Sequence, residues 1–226
     1  MTDAHSCPNC GASVSPRLAT SKVVTCDYCK STIFLDDMSF RDPGAAGEIH
    51  DPSPLLSIDR RFRIGRRVFH PLGVVRYSYG RGTWDEFWCE IEGQHAMGRA
   101  PEGPWEQGTG VTGAWVSVDE GDVAVQTPVP PVDAPLRRAD VAIGDRVEHD
   151  GLMYRAQEVE TAECIGFAGE LPEKPRIGET HRYVNFEGPD GRILSAETGE
   201  DFNAWFEGRW VDPWDVQRLD DFGDGR

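Results

Sequence analysis

The chain has 226 residues, with 39 Asp+Glu against 23 Lys+Arg and a formal net charge of −16. That length accommodates one or two domains, and so acidic a chain is repelled by phosphate backbones at long range, which leaves nucleic acid only a local basic patch to bind through. No stretch approaches the roughly 18 apolar residues of a membrane span, and Met1-Thr2-Asp3-Ala4-His5 lacks the basic start and apolar run of a secretory leader. The expectation is a soluble cytoplasmic protein, in which clustered cysteines read as a metal site.

Residues 1–36 carry that cluster. Cys7-Pro8-Asn9-Cys10 and Cys26-Asp27-Tyr28-Cys29 form two C-x2-C pairs fifteen residues apart. Zinc has no ligand-field preference and suits a tetrahedron of four thiolates. Two residues between cysteines let one tight turn present both sulfurs to one ion, and Gly11 supplies the backbone freedom such a knuckle needs. Val23-Val24-Thr25 and Ile33-Phe34-Leu35 flank the second pair as short strands. The head is therefore read as a zinc ribbon with a structural ion, because four cysteines leave no position for water. A disulfide pair and a rubredoxin-like iron site are the alternatives, and His5 is read as a bystander. With Arg17, Lys22 and Lys30 against Asp3 and Asp27, the head is no evident DNA reader and more readily contacts protein.

Residues 37–57 hold Asp42-Pro43-Gly44 and Asp51-Pro52-Ser53-Pro54 and read as a flexible linker, with His50 solvated. A first β repeat is expected over 58–131. Its basic run, Arg60-Arg61-Phe62-Arg63 with Arg66-Arg67, reads as a charged strand edge. Val68, Val74 and Val75 around His70-Pro71-Leu72-Gly73 predict a hairpin. Phe87, Cys89 and Ile91 share one strand face, and Trp88, Glu90 and Glu92 the other. Residues 94–113 read as a loop, and Thr127-Pro128-Val129-Pro130-Pro131 as a stiff connector.

A second β repeat is expected over 132–214, with a hairpin at Asp150-Gly151. Cys89 and Cys164 are read as core thiols. Phe202, Trp205, Phe206, Trp210 and Trp214 are expected to cap a barrel end or to dock on a partner, and 215–226 to be an acidic tail. Three blocks support the repeat. Ile64-Gly65-Arg66-Arg67-Val68-Phe69-His70 returns as Ile143-Gly144-Asp145-Arg146-Val147-Glu148-His149. Trp88-Cys89-Glu90-Ile91-Glu92-Gly93 echoes Tyr183-Val184-Asn185-Phe186-Glu187-Gly188. Trp115-Val116-Ser117-Val118 echoes Ile193-Leu194-Ser195-Ala196.

The blocks Ile64-Gly65-Arg66-Arg67-Val68, Trp84-Asp85-Glu86-Phe87-Trp88 and Trp115-Val116-Ser117 resemble the bacterial domain of unknown function numbered 4178, here in two tandem copies behind the ribbon. Glu179-Thr180-His181-Arg182-Tyr183 departs from the pattern in the second copy. The resemblance implies an all-β module and, by company only, gene neighbourhoods of polyamine synthesis or membrane stress. It implies no catalytic residues.

The expected fold is all-β: a zinc ribbon followed by two related small barrel- or sandwich-like domains, SH3-like by preference. The expected function is a non-enzymatic adaptor or binding protein that contacts a protein partner or a cationic ligand such as a polyamine or a basic peptide. Trp88, Glu90 and Glu92 with Tyr183 and Glu187 are the expected ligand surface, since ring faces attract cations and carboxylates neutralise them. The rival reading is an enzyme or accessory subunit that uses Asp85, Glu86 and His70 or His149 for acid–base work.

Overall fold

The computed structural model describes residues 5–35, 39–41, 49, 53, 55–92, 113–132, 141–199 and 203–219. Among them the regular structure is strand, apart from two single 3-10 turns at Pro189–Gly191 and Pro213–Asp215. Among the described residues no helix is long and apolar enough to cross a membrane.

The head holds two small sheets. β1 (His5–Ser6) pairs with β2 (Ser13–Val14), while β3 (Val23–Thr25), β4 (Thr32–Phe34) and β5 (Ser39–Arg41) form the second. A core of Cys7, Val14, Val24, Cys26 and Ile33 lies between the knuckles. That is little apolar surface for an independent fold, which is why a bound ion would supply folding energy here.

The body is built from two antiparallel meanders. The first is β6 (Arg61–Ile64), β7 (Arg67–Ser78), β8 (Thr83–Ile91), β9 (Gly113–Asp119) and β10 (Asp122–Val129). The second is β11 (Arg146–His149), β12 (Leu152–Gly169), β13 (Thr180–Glu187), β14 (Arg192–Thr198) and β15 (Asn203–Val211). Two-residue turns join several of these strands. Glu120-Gly121 (φ 47° and 106°) and Asp150-Gly151 (φ 48° and 73°) have the positive dihedrals that match the twist of a tight hairpin.

Each meander curls around its own apolar core. Phe62, Phe69, Phe87, Val116 and Val125 fill the first, and Tyr154, Phe186, Leu194 and Trp205 the second. The two are not separate domains, however. β10 pairs with β15, and the far half of β12 pairs with β7, so all body strands belong to one eleven-stranded sheet. β7, β8, β9, β10, β15, β14, β13 and β12 thereby close into a ring of eight antiparallel strands. Closure leaves no exposed edge along the ring. A third core, with Tyr77, Trp88, Trp115, Phe167 and Tyr183, sits between the two meanders and takes in Leu18 and Val23 from the head.

Several expectations change because of these junctions. The hairpin expected at His70-Pro71-Leu72-Gly73 is instead a bulge inside the continuous twelve-residue β7, with a register shift between Pro71 and Gly73. Proline cannot donate to the ladder, and an extra residue absorbs that loss. The connector expected at 127–131 begins as ladder, with Thr127, Pro128 and Val129 opposite Glu207, Phe206 and Trp205. Residues 216–219, expected in the tail, form β16 (Val216–Leu219), which pairs with β6. The expected insertion at 94–112, His50 and most of the linker lie outside the described residues, as does the end of the tail.

The repeat blocks fare unequally. The second pair lies on β8 and β13, and the third on β9 and β14, so strand order and face agree. The first pair does not coincide. Ile64 is buried at the end of β6, whereas Ile143 is 69% exposed in the turn before β11. The tight turn Asp150-Gly151 occupies the place in the second meander that Gly65-Arg66 holds in the first.

Candidate functional site

The four head cysteines converge. Cys7 Sγ and Cys29 Sγ are 3.6 Å apart, Cys10 Sγ and Cys26 Sγ 3.8 Å, and all four sulfurs lie within 4.8 Å of one another. Thiolates at about 2.3 Å from a tetrahedral ion are spaced by about 3.8 Å, so this set fits a metal. These separations are far beyond the roughly 2.05 Å of a disulfide, and all six cysteines are free. The two knuckles are built alike. Gly11 and Lys30 donate to the Cys7 and Cys26 carbonyls, each at 2.8 Å and each with positive φ. Ser31 lowers the Cys29 thiol to about 6, first through its hydroxyl and then through its amide. Cys10 moves the other way, to about 12, so without an ion the four thiols do not ionise alike. His5 is not part of the cluster.

The head is bound to the body at several points. Leu171 exchanges backbone hydrogen bonds with Val23 and also accepts from Lys22. The Glu170 carboxylate accepts from the Arg17 and Leu18 amides and the Ser21 hydroxyl. The Arg17 guanidinium reaches Glu90 at 2.7 Å and His70 Nδ1 at 2.8 Å.

The expected ligand surface is not assembled. Trp88 is buried against Trp115, with ring centroids 5.2 Å apart. Glu90 is taken by Arg17, and Glu92 faces Arg61 at 3.6 Å. Tyr183 is buried with its hydroxyl donating to Glu158, and Glu187 accepts from Gln157. The alternation read from the sequence is right, since Phe87, Cys89 and Ile91 do share one apolar core. What it could not show is that Trp84, Glu86 and Trp88 on the opposite face turn into the ring, while Glu90 on the same face meets the head.

Asp85, Glu86 and His70 are not brought together either. Asp85 is buried in a two-pronged pair with Arg76, at 2.7 and 2.9 Å. Glu86 points to the other side of β8, as a neighbour on a strand must, and His70 lies beside Arg17. Cys89 and Cys164 are buried thiols, pushed up by desolvation, Cys164 to about 12. His181 is packed edge-on to Tyr77, and burial lowers it to about 4, so it is a neutral core imidazole at neutral pH.

The ring interior holds a group of acids that sequence reasoning did not assemble. Two adjoining cavities, of about 80 and 250 Å³, share Glu197 as a wall. Glu86 enters the first from β8, where the Trp84 indole N–H at 3.0 Å and the Ser117 hydroxyl at 3.3 Å donate to it. Glu173, from the loop that docks the head, enters the second. Desolvation at the cavity walls raises all three carboxyls, although Glu173 keeps solvent-exposed surface, and their mutual repulsion adds to the rise in Glu173 and Glu197. Glu173 is pushed up to about 7, with Lys22 pulling the other way. Asp119 is also raised, by burial and then by Glu120 and Glu158, and its Oδ1 is buried without a hydrogen-bond partner. Aromatic rings line the same space. Trp84 packs against Tyr77 at 5.2 Å and Tyr183 at 5.3 Å, and the half-exposed Trp210 borders the first cavity.

The sequence did contain a signal for this site: Trp84, Glu86 and Trp88 share one face of β8, and Tyr183 and Asn185 alternate with Val184 and Phe186 on β13. Glu173 and Glu197 carried none, because only ring closure brings a loop and β14 to the same place.

No curated relative and no solved structure matches the chain. Residues 69–213 match a family described as Domain of unknown function (DUF4178), in one span that runs across both meanders. That span is well over half of the 226 residues, and the chain belongs to this family.

Proposed function

We propose that the protein is a non-enzymatic binding protein whose ring interior takes a cationic amine of the polyamine type, braced by a zinc-loaded ribbon. The observation that carries this reading is the group of carboxyls on the walls of the two cavities, the half-buried Glu86 and Glu197 with the more exposed Glu173, faced by aromatic rings. Buried carboxyls that raise one another are costly to ionise unless a cation joins them. An ammonium group would relieve that cost, and ring faces add roughly 0.5–2 kcal/mol each when desolvated. The orphaned Asp119 oxygen supplies a further acceptor.

Four converging thiols suit zinc, and the closed tetrahedron gives the ion a structural role. Duplication of one meander accounts for the shared strand order of the two halves, with the acids placed where the halves meet. A Lys/Arg-rich segment of a protein partner offers the same chemistry as a free amine.

The test is calorimetry of the zinc-loaded full chain with spermidine, and in a second arm with a Lys-rich peptide. Saturable binding to the wild type and its loss in Glu86→Gln/Glu197→Gln are expected, with Glu90→Gln unaffected. Equal heats from the wild type and the double variant would remove the proposal.

A further inference from the structure

A second constellation of metal-ligating side chains lies away from both the thiols and the acidic interior. His149, at the end of β11, and Asp150, in the turn that follows, meet Glu207 of β15. His149 Nε2 is 3.6 Å from Glu207 Oε2 and 3.9 Å from Asp150 Oδ2, and the three donor atoms lie within 4.8 Å of one another. His149 Nε2 is buried and has no hydrogen-bond partner. Burying a ring nitrogen unpaired is unfavourable, so this arrangement asks for a third party.

We infer that His149, Asp150 and Glu207 form a binding site for a divalent transition-metal ion of zinc-like softness. Ligand atoms at about 2.1 Å from a tetrahedral ion sit about 3.4 Å apart. The observed gaps of 3.6 and 3.9 Å need to close by only a few tenths of an ångström. One imidazole nitrogen with two carboxylate oxygens suits zinc, manganese or ferrous iron, whereas magnesium and calcium prefer oxygen alone.

The surroundings match an outer shell. Glu207 is itself buried, and its Oε1 accepts from the Tyr154 hydroxyl at 3.0 Å and from Arg192 at 3.3 Å. Those two donors hold one oxygen and leave Oε2 turned towards the imidazole, which is how outer-shell partners orient metal-ligating carboxylates. Arg192 repels a cation, but it sits on the other oxygen, and two carboxylates outweigh it beside a doubly charged ion. Asp150 is exposed and sits at φ 48°, held there by the Asp150-Gly151 turn. The site is thus open on one side, and three protein ligands leave room for water or an anionic ligand. The ribbon, by contrast, is closed.

The experiment is a Co²⁺ titration of the full chain loaded with a single equivalent of zinc, which the four thiols take, followed by absorption and by calorimetry. One further equivalent is expected to bind with weak visible bands and without the intense near-ultraviolet thiolate band that cobalt in the ribbon would show. His149→Gln and, separately, Asp150→Asn should weaken that equivalent at least tenfold, while Glu86→Gln/Glu197→Gln leaves it in place. Asp150→Asn keeps a residue suited to positive φ, so the fold survives that substitution. Absence of the extra equivalent, a thiolate band accompanying it, or unchanged affinity in both variants would overturn the inference. None of these outcomes bears on amine binding in the ring.

Discussion

Glu170, just beyond the end of β12, holds the head by its carboxylate: the Arg17 and Leu18 amides donate to it at 2.8–2.9 Å. Around it, Leu18 and Val23 of the head share a core with Tyr77 and Trp88 of the body. The four-thiol head is therefore part of the body's packing, and a metal bound there should matter to the whole chain.

Two substitutions at this junction should differ sharply. Glu170→Ala leaves the buried Leu18 amide without its acceptor, at about 1–3 kcal/mol, and frees the part-buried Arg17 amide and Ser21 hydroxyl, which water can partly satisfy. A loss of about 2–4 kcal/mol in urea unfolding is expected. Glu90→Gln breaks the Arg17 pair, which is partly exposed on both sides, and such pairs contribute about 0–1 kcal/mol. Equal losses would show that the head is held by something other than Glu170.

Metal removal follows the same logic. Chelation, or Cys26→Ser, should lower the melting temperature of the entire protein in one transition, because Val23 of the head packs in the body-side core beside Leu171 and exchanges backbone hydrogen bonds with it. Calorimetry showing an unchanged body transition after chelation would contradict this coupling.

Gly73 is a point of close approach. A Cβ there would lie 2.3 Å from the Glu170 carbonyl oxygen and 2.9 Å from the Leu171 side chain. Gly73→Ala must push the docking loop outwards, at a cost of about 1–3 kcal/mol. The expected readout is faster proteolysis of the head together with lower stability, and an unchanged digest would argue that the loop yields freely.

Glu173 makes stability depend on pH in an unusual direction. Its carboxyl titrates near 4.5 when unfolded and at about 7 in the fold. A raised folded value stabilises the protein below the unfolded value, and that contribution is lost as pH rises through the folded one. Glu173 is solvent-exposed, so screening by water holds its contribution well below what the full shift would give. Glu173→Gln should therefore gain on the wild type as pH rises from 5 to 7.5, measured by urea midpoints with zinc present. A variant that tracks the wild type at every pH would place the shift elsewhere.

The same groups predict proton release on ligand binding. A cation favours the ionised carboxylates, so spermidine binding near pH 6.5 should expel protons from Glu173 and its neighbours. Calorimetric heats should then vary with the ionisation enthalpy of the buffer. Identical heats in phosphate and in a Tris-type amine buffer would show that the acids are already ionised before the ligand arrives.

The local features were legible because their causes are local. Cys7, Cys10, Cys26 and Cys29 announce a metal site through spacing alone, since one tight turn sets each pair of sulfurs. The period of two on β8 and β13 correctly sorted Phe87, Cys89 and Ile91 from Trp88, and Asp150-Gly151 marked its own hairpin. The first repeat block misled because Ile64 to His70 spans the tight turn between β6 and β7, whereas Ile143 to His149 lies wholly before the turn between β11 and β12.

The sequence by itself determined an all-β chain, a four-thiol head and which residues share a strand face. Only the tertiary structure decided which of those faces is solvated. Pairing of β10 with β15 and of β12 with β7 depends on residues far apart in the chain, and no periodicity encodes it. That closure turned Trp84, Glu86 and Tyr183 inwards to meet Glu173 and Glu197, and left Glu90 to the head.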